Sequence, residues 1–195
     1  MVPIRLSLRN FLSFVKTDEP VDFSPFKLIC IVGPNGSGKS SLIEAIRWAL
    51  FGKGRVSTSG LVRKGSRDMS VDFLFQLEDQ KYRIKRSYSL SAKSGRESLD
   101  IFMVTPDGEL PITADKGKRA AQNYLKNLLG MDDYSFCNAS FISQGNSGSF
   151  TRMMKPAERK ELLASILGLD KFDILLNEAK GQRKFLKQKI ELLEE

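Results

Sequence analysis

The chain has 195 residues, 41% of them hydrophobic and 28% charged, which is enough for one well-packed domain and too few for two. Lysine and arginine outnumber aspartate and glutamate 31 to 23, and the resulting formal charge of +8 suits a polyanionic partner such as DNA. No run of 18 apolar residues is present and the first residues lack a signal-peptide pattern, which excludes a membrane span and makes the cytoplasm the expected location. Histidine is absent, and Cys30 and Cys137 are the only cysteines, both in apolar runs. Zinc binding, a disulfide framework and histidine-based acid–base chemistry therefore drop out, and both thiols are expected reduced in the core.

In chain order, Ile4–Arg9 alternates as a short strand and Asn10–Phe14 reads as a turn or loop. Lys27–Val32 is a compact apolar run ending in a Gly/Pro/Asn/Ser cluster, the pattern of a buried strand. From Lys39 the period becomes helical: Leu42, Ile46 and Ala49, flanked by Ile43 and Leu50, make one apolar face that stops at Gly52. Lys53–Gly65, rich in Gly, Ser and basic residues, is expected to be a mobile surface loop. Three alternating runs follow, with Val71, Phe73, Phe75 and Leu77, then Tyr82, Ile84, Tyr88 and Leu90, then Leu99, Ile101 and Met103. Separated by Glu78-Asp79-Gln80 and Ser94-Gly95, they predict an antiparallel meander with one solvated face. Ala114–Leu129 reads as a helix closed by Gly130, Tyr134–Ser143 as a largely buried strand, and Gly145–Ser149 as a glycine-rich loop. Pro156 suits the first turn of a helix running to Leu167. From Asp170 a final helix carries Phe172, Leu176, Ala179, Leu186, Ile190 and Leu193 at 4-3 spacing, broken only by Arg183. That spacing fits the start of a coiled coil. The chain thus divides into a globular part, residues 1–169, and a helical extension, residues 170–195.

Gly33-Pro34-Asn35-Gly36-Ser37-Gly38-Lys39-Ser40 matches the phosphate-binding pattern G-x-x-x-x-G-K-S in full, between an apolar run and an apolar-faced helix. Its glycines let successive backbone N–H groups curl around a phosphate, and the helix start adds partial positive charge. Lys39 is expected on the β- and γ-phosphates and the Ser40 hydroxyl on Mg²⁺, with Asn35, Gly36, Ser37, Gly38 and Ser41 completing the ATP site. Hydrolysis needs more. A carboxylate pair closing a second apolar strand is absent: Phe73–Asp79 has Gln76 in mid-run, and Leu167–Asp170 sits between helices. By its sequence the chain holds half of a catalytic site.

The phosphate loop followed by Ser41-Leu42-Ile43-Glu44-Ala45-Ile46 resembles the ATP-binding-cassette heads of chromosome-maintenance ATPases, and within them the SbcC-type DNA double-strand-break-repair ATPases. Asn10–Phe14 resembles their N-terminal segment near the nucleotide, Leu61–Gly65 the lead into the meander, Phe141–Gly145 the Q-loop, and Pro156–Lys160 with Leu167–Asp170 the approach to the coiled coil. The resemblance implies an α/β fold: the N-terminal lobe of an ATP-binding-cassette head, with a P-loop core, an antiparallel meander and the start of a coiled coil. It implies a C-terminal lobe that supplies the signature motif and the carboxylates. It also implies a second head, a calcineurin-like phosphoesterase nuclease docked near the base of the coil, and double-stranded DNA as partners. Carried over by position, Gln144 ligates Mg²⁺ near the attacking water and acts with Lys39 in catalysis. Ser143 departs from the basic residue expected beside it.

Two further classes of function compete with this one. One is a structural chromosome-organising or recombination ATPase without a nuclease. The other is a P-loop kinase or small-molecule enzyme, which the long meander and the coiled-coil pattern disfavour. For DNA, Arg83 and Lys85 are expected together on the solvated face of the meander, with Arg63, Lys64 and Arg67 in the preceding loop extending a phosphate-contacting patch. Arg86 falls in phase with the apolar set and is expected at its edge.

Overall fold

A computed structural model describes residues 1–90, 95–113, 117–139, 155–167 and 169–194. They form two compact units, Met1–Leu129 and Gly130–Glu195. The first is built on a seven-stranded antiparallel sheet. Its strands are β1 (Val2–Phe11), β2 (Phe14–Lys16), β3 (Val21–Asp22), β4 (Asp68–Leu77), β5 (Gln80–Leu90), β6 (Gly95–Thr105) and β7 (Gly108–Pro111). Their order is β2-β1-β4-β5-β6-β7, with β3 also on β1. The meander is as the alternation predicts. Val71, Phe73, Phe75, Ile84, Leu99 and Ile101 are buried on one face with Leu6 and Leu8, while the intervening residues face outward. The pairing of Leu77 with Gln80 leaves a two-residue turn in which Glu78 takes a φ of 53°. Pro3, which cannot donate to the ladder, sits where the β1–β4 register shifts.

Helix α1 (Lys39–Phe51) and helix α3 (Lys118–Leu129) cover the apolar face, α1 against β1, β4 and β5 and α3 against β6. The buried side of α1 is Ser41, Glu44, Ala45, Trp48 and Phe51, with Ala49 and Leu50. The expected face differs: Leu42 and Ile46 are only half-buried and Ile43 is exposed. Apolar residues run almost all round this helix, so its sequence offers two faces and the sheet covers one of them.

Three further expectations are corrected. Lys27–Val32 forms no strand. Leu28 is 92% and Val32 86% exposed, and Cys30 is exposed rather than in the core. A strand needs a neighbour for its backbone N–H and C=O groups, and no strand of this sheet pairs with the run. Lys53–Gly65 is more ordered than a mobile loop, since it contains α2 (Thr58–Leu61), capped by Ser57, with Leu61 and Val62 buried. Buried Glu44 fastens its beginning by accepting the Arg55 N–H, and Val62 bridges Phe11 at its end. Finally, the described part of Tyr134–Ser143 is helical.

In the second unit α4 (Asp133–Ala139) stands where that strand was expected. The Asp132 carboxylate accepts the Ser135 N–H at 2.9 Å, a side-chain cap that starts a helix and has no counterpart in a strand. Next come α5 (Pro156–Ile166) and α6 (Asp170–Glu194), as their start signals predict. A recess of about 450 Å³ lies along α5 and the turn after it, lined by Pro156, Leu163, Ala164, Leu167 and Leu169. On α6, Phe172, Leu176, Leu186 and Ile190 are exposed.

Candidate functional site: a phosphate loop opening a helix

Gly36 and Gly38 take φ values of 82° and 97°, conformations in which a β-carbon is strained. Gly38 is doubly constrained, because a β-carbon there would meet the Ser13 hydroxyl at 2.6 Å and the Phe14 ring at 2.9 Å. It also serves as the N-cap of α1 and, having no side chain, leaves the first N–H groups of the helix uncapped. The first turn of α1 holds no carboxylate to occupy that partial positive charge. Lys39 folds back so that its ammonium donates to the Gly33 and Pro34 carbonyls, each at 2.7 Å. Asn35, Gly36, Ser37 and Ser40 are exposed. A lysine tied to carbonyls of its own loop, beside open amides and a solvent-facing serine, suits exchange of those carbonyls for phosphate oxygens. Ser41 is different, being buried with its hydroxyl 3.4 Å from that of Ser13.

The turn between β1 and β2 walls this loop. Asn10 and Leu12 hold left-handed conformations, with φ of 51° and 47°, and the chain around them is laced to the end of α2 and the residues after it. The Leu12 N–H donates to the Leu61 carbonyl and the Arg63 N–H to the Asn10 carbonyl, both at 2.8 Å. Backbone strain of this kind, stored beside a binding loop and held by surrounding contacts, is a recurrent property of functional sites. The Arg63 guanidinium donates to the Ser13 carbonyl at 2.8 Å, so this residue stands at the wall of the phosphate loop. The sequence places Arg63 in a DNA patch and in the segment leading to the meander, not at the phosphate loop, and does not single out Ser13. The resemblance of Asn10–Phe14 to a segment near the nucleotide was the available signal.

The meander residues of the expected DNA patch, Arg83 and Lys85, lie elsewhere. On the outer face of the sheet Arg83 makes a bidentate pair with Asp72, at 2.8 and 2.6 Å, and pairs with Glu109 as well. Those carboxylates hold its pKa above the ordinary arginine value despite partial burial. Lys85 stands 3.8 Å from Glu109 and lies over the Phe102 ring at 4.9 Å. Lys64 is exposed. Gln144, with the rest of Phe141–Gly145, lies outside the described residues. Among the described residues no cluster of metal-ligating side chains occurs, and no helix is long and apolar enough to cross a membrane.

Comparison with known proteins fits this geometry. The family model described as "AAA domain" matches residues 5–195. The SbcC member of the nuclease SbcCD from Deinococcus radiodurans is 30% identical over 99% of this chain and 21% of its own length. The "DNA double-strand break repair Rad50 ATPase" of Thermoplasma volcanium is 36% identical over 89% of this chain and 18% of its own length. A "Probable DNA double-strand break repair Rad50 ATPase" of Aquifex aeolicus is 29% identical over the full chain and 20% of its own length. The chain thus spans about a fifth of the length of these relatives. With its phosphate loop, α/β architecture and antiparallel meander, the chain belongs to the AAA-domain family of nucleotide-binding proteins and is homologous to the N-terminal lobe of SbcC/Rad50-type ATPases.

Proposed function

We propose that this chain is the ATP- and Mg²⁺-binding half of an ATPase head that processes DNA double-strand breaks together with a nuclease. The observation that carries the reading is the Gly33–Ser40 loop. Its lysine is folded onto the loop carbonyls and its helix start is left without a cap or a carboxylate. Lys39 would neutralise the β- and γ-phosphates, Asn35 to Ser41 would line them, and the Ser40 hydroxyl would take a position on Mg²⁺ with Gln144. Bound Mg²⁺ supplies charge neutralisation of the phosphates. The chain's own residues bind and orient the nucleotide, and the carboxylates that activate water come from the C-terminal lobe.

The exposed apolar segments support a missing lobe. Leu28 and Val32 lead straight into the phosphate loop and are almost fully exposed, and the outer side of α1 is incompletely covered. Strands of a C-terminal lobe laid against Lys27–Val32 would pair its backbone and bury both surfaces. A second head completes the nucleotide sandwich, α6 continues as a coiled coil, and the nuclease sits near its base. DNA contact falls to the heads, with Lys64 and Arg67 as exposed candidates beside Arg63 and with Arg83 and Lys85 on the meander. The test is calorimetric titration of ATP with and without Mg²⁺ into wild type and Lys39→Ala. Losing a charge-assisted contact of about 1.5–3 kcal/mol weakens binding by roughly ten- to hundredfold. Equal affinities would refute the site. Co-purification of a phosphoesterase with the longer protein supports the nuclease-linked reading, and a bridging subunit in its place would overturn that part.

A further inference from the structure

Arg86 stands in phase with the apolar residues of β5, and its side chain is wholly buried. Its Nε donates to the Ala49 carbonyl at 3.0 Å, one terminal nitrogen to Glu97 at 2.6 Å, and the other to the Gln122 side-chain oxygen at 2.5 Å. The Gln122 amide nitrogen then donates to the Leu50 carbonyl at 3.0 Å. The guanidinium lies 5.8 Å from the centre of the Trp48 ring, whose other neighbour is Phe11, on the strand leading into the wall of the phosphate loop. The indole N–H of Trp48 is buried with no acceptor among the described residues. Gly52 completes the arrangement. Its N–H donates to the Trp48 carbonyl at 2.8 Å, and a β-carbon on it would strike the Arg86 guanidinium at 2.5 Å.

Three consecutive carbonyls at the end of α1 therefore each receive a donor, two of them from outside the helix. A core needs no guanidinium to be packed, because apolar residues of similar volume serve as well or better. What the guanidinium and the amide add is direction: both ties end on the helix that opens in the phosphate loop. That helix has 13 residues, is covered by the sheet on one side only, and carries no basic residue of its own in its last turn. We propose that Arg86 and Gln122 are positioning residues for nucleotide binding. They clamp the C-terminal end of α1 to β5, β6 and α3, and this fixes the orientation of the loop at its other end. The inference rests on the phosphate-loop reading and extends it to a site roughly 20 Å away along the helix.

The experiment uses the full chain with Arg86→Met, Gln122→Met, Ile84→Ala and Lys39→Ala. Ile84 is buried on the same strand and leaves the clamp in place, so Ile84→Ala controls for lost stability alone. ATP·Mg²⁺ affinity is measured by calorimetry well below every melting point, together with nucleotide-dependent amide exchange across Ser41–Phe51. If release of the clamp leaves the loop competent about a tenth of the time, affinity falls about tenfold. The expected result is that loss in both clamp variants, with faster exchange along α1 in the nucleotide-bound state, and wild-type affinity in Ile84→Ala. Wild-type affinity in Gln122→Met, or an equal loss in Ile84→Ala, overturns the proposal, and Gln122→Met decides it should Arg86→Met not fold. Wild-type affinity in Lys39→Ala would instead overturn the phosphate-loop reading, and this inference with it.

Discussion

Replacing Glu97 with glutamine tests the buried cluster as a contribution to stability. The substitution preserves shape and an acceptor oxygen but leaves the Arg86 guanidinium without an anion in a site where its side chain is 0% and that of Glu97 11% exposed. Burial already pulls the Arg86 pKa below its ordinary value, with Glu97 pushing it back up. At an effective dielectric of about 20, unit charges about 4 Å apart attract by roughly 4 kcal/mol. Breaking buried pairs by removing one partner costs about 3–5 kcal/mol. Because the amide oxygen retains a hydrogen bond, a loss near 3 kcal/mol is expected. The Met1–Leu129 unit would have an unfolding entropy of about 0.27 kcal/mol/K, so its Tm should fall by about 11 °C. Thermal unfolding followed by circular dichroism and by emission of Trp48, the sole tryptophan, measures this. Lys118→Ala removes the other partner of Glu97 and is the control. That lysine is half-exposed, and its loss should cost under about 1 kcal/mol. A Glu97→Gln variant melting within about 3 °C of wild type would show that the buried charge pair is not held as described.

Other outcomes follow from single features. Lys64→Glu in the assembled head should weaken duplex DNA binding independently of sequence and lower the salt slope by about 1, as loss of one phosphate contact requires; an unchanged slope removes Lys64 from the interface. Arg83→Glu, by contrast, leaves Asp72 and Glu109 facing a third carboxylate, so it should lower the melting temperature as well as any DNA affinity, and a fully stable variant would contradict the ion-pair geometry. The Asp22 carboxyl, which accepts from the Ser24 hydroxyl and N–H, is held below the ordinary aspartate pKa. Its contribution to stability is present above the unfolded value and disappears as pH falls through the lowered folded one. Ser24→Ala should move the Asp22 titration seen by NMR back toward 3.8, the ordinary value. The isolated chain should bind nucleotide with turnover at background, and Lys39-dependent phosphate release by the pure chain would overturn the division of the site between lobes.

Most of the sheet and the phosphate loop were legible because their signals are local. A period of two sorts Val71, Phe73, Phe75, Ile84, Leu99 and Ile101 onto one face whatever lies beyond it. The glycines at 36 and 38 answer to backbone geometry within a few residues. What failed depended on partners. The apolar pattern of Lys27–Val32 signals a need for burial but not what provides it. Around α1 the pattern offered Leu42 and Ile46 as readily as Ala45 and Trp48, and only the packed sheet decides between them. Arg86 was legible as an in-phase charge but was expected at the edge of the apolar set. It is wholly buried instead, because its three acceptors come from α1, β6 and α3, at separations of 11 to 37 residues. The helix at Asp133–Ala139 was missed for a different reason. Asp132 is a capping residue whose signal was present in the sequence and was outweighed by Tyr134, Phe136 and Cys137.

The two ends of α1 are treated oppositely, and this asymmetry ties the fold to its use. At the N-terminal end, using glycine in place of a serine or aspartate cap gives up about a few tenths of a kcal/mol. The strained Asn10 and Leu12, held by the end of α2 and the residues after it, add to that cost. At the C-terminal end every one of the Trp48, Ala49 and Leu50 carbonyls is satisfied, two of them by side chains of the buried cluster. A helix stabilised uniformly along its length would need a cap or carboxylate where an anion must enter, and these would compete with phosphate. By placing the holding contacts at the far end, the fold keeps the helix direction fixed and the loop amides open. Changes at Arg86 and changes at Lys39 should therefore separate. The first lowers both stability and affinity, whereas the second lowers affinity in a protein that melts as wild type does.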